Sequence, residues 1–324
     1  MKGSKIQLGV SLYSFTIDYF LEKYSIEACV AKAAELGFTG VEIVAAMMVP
    51  DYPWPTDAWM TYFRGLLDKY GLAPVTYSAY IDMGQRTDRD MTEAEIVQST
   101  VNDLDIASRY GFPVVRTQHA ISPEILEKMV PYAAKRDVWL GVELHAPHTI
   151  HVPVWQKYFA LFDRLGSDHI GIIPDFGVFQ EHPHKPWFTQ AAELGMRAQT
   201  LEVLLAARKE GLGEEAAVAR TKAPTDAERR IAHELFKDFK PARLEDLAPM
   251  VKHSKYMHGK FYYVDENLKE NCVPYDRILP AIRDLGFEGF IASEYEGHQF
   301  DESIDGTEQL TRHIAMEKRI LGLA

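Results

Sequence analysis

Cysteine is scarce in this chain of 324 residues: only Cys29 and Cys272 are present, too few for a disulfide framework. A reducing compartment is therefore expected, and with it a cytoplasmic location. Met1 to Gly9 is polar and lacks the pattern of a signal peptide. No apolar run approaches the roughly 20 residues a membrane-spanning helix needs. Basic residues are also in short supply, 35 Lys and Arg against 47 Asp and Glu, for a net charge of -12. That balance argues against nucleic acid or an anionic membrane as the main partner, because both demand a positive surface. No Gly-x-Gly-x-x-Gly follows the first apolar run, which removes the dinucleotide-binding signature, and no Gly-x-Ser-x-Gly marks a serine hydrolase elbow.

What the chain does have is a regular alternation. Apolar periodicity predicts strands at Ile6–Leu12, Gly40–Val44, Ala73–Ser78, Val114–Thr117, Val138–Leu144, Ile170–Pro174, Tyr256–Phe261 and Gly289–Ser293. Between them lie amphipathic helical patterns at Ile26–Leu36, Trp59–Tyr70, Ile96–Tyr110, Glu124–Lys135 and Tyr275–Leu285. Glu35-Leu36-Gly37-Phe38-Thr39-Gly40-Val41-Glu42 resembles Asp284 to Ile291, each a helix stopped by glycine and feeding a strand. Strict alternation implies parallel pairing, so the expected fold is α/β, a single (β/α)8 TIM barrel over residues 1–324. The cadence breaks between Asp175 and His258, where a minimal unit would take about 30 residues. A helical insertion at about 182–250 is expected there, with Ala191–Lys209 and Glu214–Arg220 helical and Thr225 an N-cap. It is either an outer elaboration of the barrel or a lid or partner platform.

Four apolar segments end in a potential metal ligand: Val142-Glu143-Leu144-His145, Ile173-Pro174-Asp175-Phe176, Lys255-Tyr256-Met257-His258 and Ala292-Ser293-Glu294-Tyr295. Singly, Glu143 or Glu294 could form a loop salt bridge, Asp175 could cap a helix, and His258 could be a satisfied core histidine. Jointly, at the C-terminal ends of strands five to eight, they converge on the face where barrel enzymes place their chemistry. Three carboxylates meeting there would repel by about 4 kcal/mol per pair at ~4 Å and an effective dielectric of ~20, which a divalent ion relieves. Three oxygen ligands and one imidazole suit Mn²⁺ or Mg²⁺ better than Zn²⁺, with Fe²⁺ or Co²⁺ as substitutes.

His145 lies two residues beyond Glu143, on the same face and nearer the rim, where a general base belongs; a ligand or an exposed loop residue are the alternatives. His119 and Lys260, after strands four and seven, are candidates to hold substrate hydroxyls or developing negative charge. His148 and His151 either cluster with His145 or belong to an irregular loop. His169 is expected on the opposite, structural face, and His182 and His184 at the surface. Tyr13, Phe15, Tyr52, Trp54, Phe179 and Trp187 crowd the predicted upper loops, either to stack on a ring of the substrate or to pack the insertion.

Through these residues the chain resembles the xylose-isomerase-like barrel superfamily of sugar epimerases, isomerases and metal-dependent endonucleases. The resemblance implies that Glu143, Asp175, His258 and Glu294 bind one divalent ion, in the order of the epimerase branch. Val142-Glu143-Leu144-His145, Tyr256-Met257-His258-Gly259-Lys260-Phe261-Tyr262 and the insertion look most like the α subunit of bacterial C-glycoside deglycosidases. That narrower resemblance implies a small β subunit as partner. It also implies a carbon–carbon lyase that acts on 3-oxo C-glycosides, removing the C2 proton with His145 and eliminating the aglycone. A metal-dependent ketose 3-epimerase or sugar isomerase is the alternative, with Glu143 and Glu294 as bases. A sugar-binding protein on an inactivated barrel is the third reading.

Overall fold

The computed structural model describes residues 5–323. Its strands are β1 (Ile6–Ser11), β2 (Gly40–Val44), β3 (Ala73–Ser78), β4 (Val114–Thr117), β5 (Trp139–Leu144), β6 (Ile170–Pro174), β7 (Tyr256–Phe261) and β8 (Gly289–Tyr295). They form one parallel sheet in the order β6-β5-β4-β3-β2-β1-β8-β7. The ends meet at a parallel bridge between Asp175 and His258, and the Ile172 N–H donates to the His253 carbonyl at 3.0 Å. With helices between the strands, this is the (β/α)8 barrel expected from the sequence. No helix among the described residues is long and apolar enough to cross a membrane.

Local chemistry sets the helix limits. Thr92 and Glu95 form a capping box at the start of Glu93–Tyr110, and Gly111 ends that helix at φ +78°. Gly37 and Gly286, the paired stops of the internal repeat, take φ +86° and +82°, a region a side chain would strain. One boundary matters for the site: β8 runs to Tyr295, so Glu294 is held inside the strand rather than beyond its end.

Between β6 and β7 run helices Lys185–Glu193, Ala198–Lys209, Glu214–Ala219 and Asp226–Lys237. The helix expected over Ala191–Lys209 is broken, because the chain turns at Gly195 with φ +98° and restarts after Arg197. The Arg197 guanidinium bonds the buried Glu228, which also closes the capping box with Thr225. Trp187, Met196, Leu204, Ile231 and Leu235 form a separate apolar cluster that these helices share. His184, expected at the surface, is instead buried. Its Nδ1 accepts the Trp187 N–H at 3.1 Å, its ring stacks on Tyr262 at 4.1 Å, and burial pushes its pKa down to about 3. His182 is exposed.

The barrel interior is layered. At the N-terminal end Val75, Val114, Trp139, Ile173, Tyr256 and Ala292 cluster with Phe290, and His169 lines a cavity beside Trp139 and Phe290. Gly40, Gly141 and Gly171 leave the space these large side chains fill. Above this plug, still fully enclosed, lie Glu42, Arg116, Glu143 and His258. At Gly171 an added methyl would run into the His253 carbonyl and the Trp139 indole. Gly171→Ala is expected to cost about 1–3 kcal/mol, since the backbone carbonyl cannot step aside. Urea unfolding checks this, and an unchanged midpoint would show that the plug is loose.

Candidate metal centre

The four sequence-predicted ligands come together. Glu143, Asp175, His258 and Glu294 each present one ligand atom, all within 4.8 Å of one another, and all four residues are buried. The strands explain why. Glu143 shares the inward face of β5 with Trp139 and Gly141, His258 that of β7 with Tyr256, and Glu294 that of β8 with Phe290 and Ala292. Asp175 directly follows β6, and its two oxygens do different work. Oδ1 accepts the Gly177 N–H at 2.6 Å, capping the short turn Phe176–Phe179, while Oδ2 faces Lys260 Nζ at 2.9 Å. Asp175 thus caps a helix and belongs to the converging cluster with one side chain.

Charge is unbalanced in this enclosure. The carboxylates of Glu42, Glu143, Asp175, Glu294 and Glu296 face two permanent cations, Arg116 and Lys260. Arg116 bonds Glu143 Oε2, donates to Ser78 Oγ at 3.0 Å and stacks over Tyr80. Burial alone would raise the Glu143 pKa, but the Arg116 charge, helped by His258 and Lys260, holds it well below the usual carboxylate range. Glu294 behaves oppositely: burial, reinforced by Asp175 and Glu143, pushes it up to about 7 against the pull of His258 and Lys260. Burial disfavours a charged His258, yet Glu294, Glu42 and Glu143 outweigh it and raise the imidazole well above its ordinary value. The donor set passes a direct test for a divalent cation. Negative charge is in excess, and neither Asp175 Oδ2 nor Glu294 Oε2 receives a well-aligned hydrogen bond. Three carboxylates with one imidazole could hold a divalent metal ion.

Lys260, expected near substrate, sits among the acids, with Nζ 3.3 Å from Glu294 Oε2 and 2.6 Å from Glu296 Oε2. His145 follows β5 half-buried, its Nδ1 2.6 Å from the Ala146 carbonyl. A carbonyl only accepts, so Nδ1 carries a hydrogen, and in the neutral ring the lone pair lies on Nε2. The loop histidines divide. His119 and His148 pack with ring centroids 5.3 Å apart, and Trp155 Nε1–H donates to His148 Nδ1. Burial, then the neighbouring His119 and His145, lower the His148 pKa. His151 turns instead to Asp246 at 3.0 Å. Of the aromatics, Phe15, Phe179 and Trp187 are buried packing, while Trp54 is 66% exposed.

Three participants escape a search for strand-end ligands: Glu42, Arg116 and Glu296. Glu42 lies in β2 and bonds His258 Nε2 at 2.9 Å. The available signal was a charge inside an apolar strand, as in Gly40-Val41-Glu42-Ile43-Val44 and Val114-Val115-Arg116-Thr117.

The family model described as xylose isomerase-like TIM barrel matches residues 30–316. A 3'-dehydrocarminate deglycosidase alpha subunit from a Microbacterium species is 33% identical, over 98% of this chain and 95% of the relative. A C-glycoside deglycosidase alpha subunit from Arthrobacter globiformis is 30% identical, over 92% of this chain and 87% of the relative. Among solved structures, a sugar phosphate isomerase/epimerase from Parabacteroides distasonis superposes with a TM-score of 0.60 at 11% identity. That match covers 99% of this chain and 96% of the other and speaks to fold alone.

Proposed function

Because this chain belongs to the xylose isomerase-like TIM barrel family, we propose that it is the catalytic α subunit of a metal-dependent C-glycoside deglycosidase. The observation that carries the reading is the near full-length similarity to two deglycosidase alpha subunits. A converging Glu143, Asp175, His258 and Glu294 cluster supports it. In this reading the four residues hold one Mn²⁺ or Mg²⁺, which when bound supplies Lewis acidity to the ketone of a 3-oxo C-glycoside. His145 Nε2 takes the proton from C2. The C2–H electron pair moves toward the ketone and then returns to expel the aglycone from C1. The C1–C bond breaks with its electrons on the aglycone carbon, which takes up a proton, leaving an unsaturated keto sugar. The reaction is a β-elimination by a carbon–carbon lyase; no water is consumed.

Lys260 and His119 are assigned to the substrate side. Lys260, already among three carboxylates, sets their positions and offers an ammonium to oxygens of the sugar. A small β subunit is the proposed partner, in keeping with the alpha-subunit names of the relatives.

Mass spectrometry of products tests this. The Mn²⁺-supplemented protein is offered a 3-oxo C-glucoside and a panel of free ketoses, with and without a candidate β subunit. Free aglycone with an unsaturated keto sugar is expected. Epimerised ketose without aglycone release would instead make this chain a ketose 3-epimerase.

A further inference from the structure

Glu42 takes no part in the four-residue cluster, yet it is almost completely buried and every hydrogen bond it makes inside the barrel is accepted from a donor. Ser11 Oγ donates to Oε1 at 2.6 Å, and Tyr256 Oη donates to Oε2 at 2.9 Å. His258 Nε2 lies 2.9 Å from the same Oε2. Three strands, β1, β2 and β7, thus fix one carboxylate against the back of one imidazole. The other ring nitrogen, Nδ1, faces the cluster, 2.7 Å from Glu143 Oε1 and 3.5 Å from Glu294 Oε2.

A neutral imidazole carries one hydrogen and one ring lone pair, and only the lone pair can bind a metal. The partner of the far nitrogen decides which nitrogen keeps the hydrogen. Both ring nitrogens face carboxylates, Nε2 that of Glu42 and Nδ1 that of Glu143. When a cation takes the place of the Nδ1 hydrogen, the hydrogen that remains is the one Glu42 holds on Nε2, and the lone pair is left on Nδ1, the nitrogen directed at Glu143 and Glu294. Without the Glu42 carboxylate the Nε2–H would lose the acceptor it has here, and the opposite tautomer would compete. The Tyr256 ring, set nearly perpendicular to the imidazole at 5.5 Å between centroids, limits its tilt.

We propose that Glu42 is a positioning residue that sets the tautomer and aim of His258, so that Nδ1 is the nitrogen offered to a divalent cation. The inference rests on the reading that Glu143, Asp175, His258 and Glu294 hold that cation. Its reach is different, because it assigns a task to a β2 residue that binds neither metal nor substrate.

Two measurements test it, neither relying on turnover. Calorimetric titration with Mn²⁺ compares the wild type with Glu42→Gln, which keeps the shape and loses the charge. The variant is expected to bind about 10- to 100-fold more weakly, the usual cost of losing such a partner. Affinity within threefold of wild type in the folded variant would overturn the inference while leaving the metal reading intact. Absence of Mn²⁺ binding in the wild type would overturn both. The second measurement needs no variant: a two-bond ¹H–¹⁵N spectrum of histidine-labelled wild type loaded with diamagnetic Mg²⁺. His258 is expected to be protonated on Nε2 and bare on Nδ1; the reverse pattern would overturn the inference even if Glu42→Gln fails to fold.

Discussion

His145→Ala is expected to lower kcat by about 10²- to 10⁴-fold, the range a positioned general base contributes, with Mn²⁺ affinity unchanged. The separation of the two effects follows from the geometry. The cluster that converges within 4.8 Å consists of Glu143, Asp175, His258 and Glu294, and His145 stands outside it at the end of β5. Its Nδ1–H is taken up by the Ala146 carbonyl, so a single ring nitrogen remains for proton transfer. His145→Gln can keep a polar contact but cannot accept and hold a proton near neutral pH, so it should fall with the alanine variant. Steady-state kinetics on a 3-oxo C-glucoside, paired with Mn²⁺ titration of the same preparations, checks both halves. Near-normal turnover would remove His145 from the mechanism, and a parallel loss of metal would move it into the ligand set.

That Glu143, Asp175, His258 and Glu294, which lie together in the structure, could be picked out of the sequence has a physical cause. A parallel barrel turns chain order into spatial convergence, because strand ends that recur along the chain open on one mouth. An ionisable residue closing an apolar run is costly to bury, so four of them imply a shared partner. Glu42 and Arg116 escape this logic, since they lie below the mouth and their partners come from other strands. Arg116 meets Glu143, and Glu42 meets His258 across 216 positions, relationships that no local pattern encodes. His184 eludes it for another reason: prolines around a histidine look like loop, and only the stacking on Tyr262 and the cap on Trp187 reveal its burial. The break at Gly195 was hidden by good helix formers on both sides. The fold was therefore more legible than the inner support of the site, because periodicity is local and electrostatic pairing is not.

Removing the divalent ion should lower turnover by about three orders of magnitude or more, since Lewis-acid polarisation contributes several kcal/mol to such a reaction. The same ion should bind more weakly as pH falls, and the two raised pKa values set how steeply. Burial opposes a charge on the His258 imidazole, but Glu294, Glu42 and Glu143 outweigh it and raise the group well above its ordinary value, so a proton competes with the cation for the ring. Coordination requires the lone pair, and that proton must leave. Glu294, pushed up to about 7, is largely ionised at pH 8 and largely protonated at pH 6. Its proton too must leave below that midpoint. Each released proton makes affinity rise with pH, so log K should climb across this range and more steeply below about pH 7, where the Glu294 proton must also leave. Glu143 adds nothing in this window, because Arg116 keeps it ionised far below. Calorimetry of Mn²⁺ binding in buffers of different ionisation enthalpy, from pH 6 to 8, counts the protons directly. Affinity that is flat across this range would mean that the cation binds somewhere other than the buried cluster. A steepening below pH 7 that disappears in Glu294→Gln would tie that proton to β8.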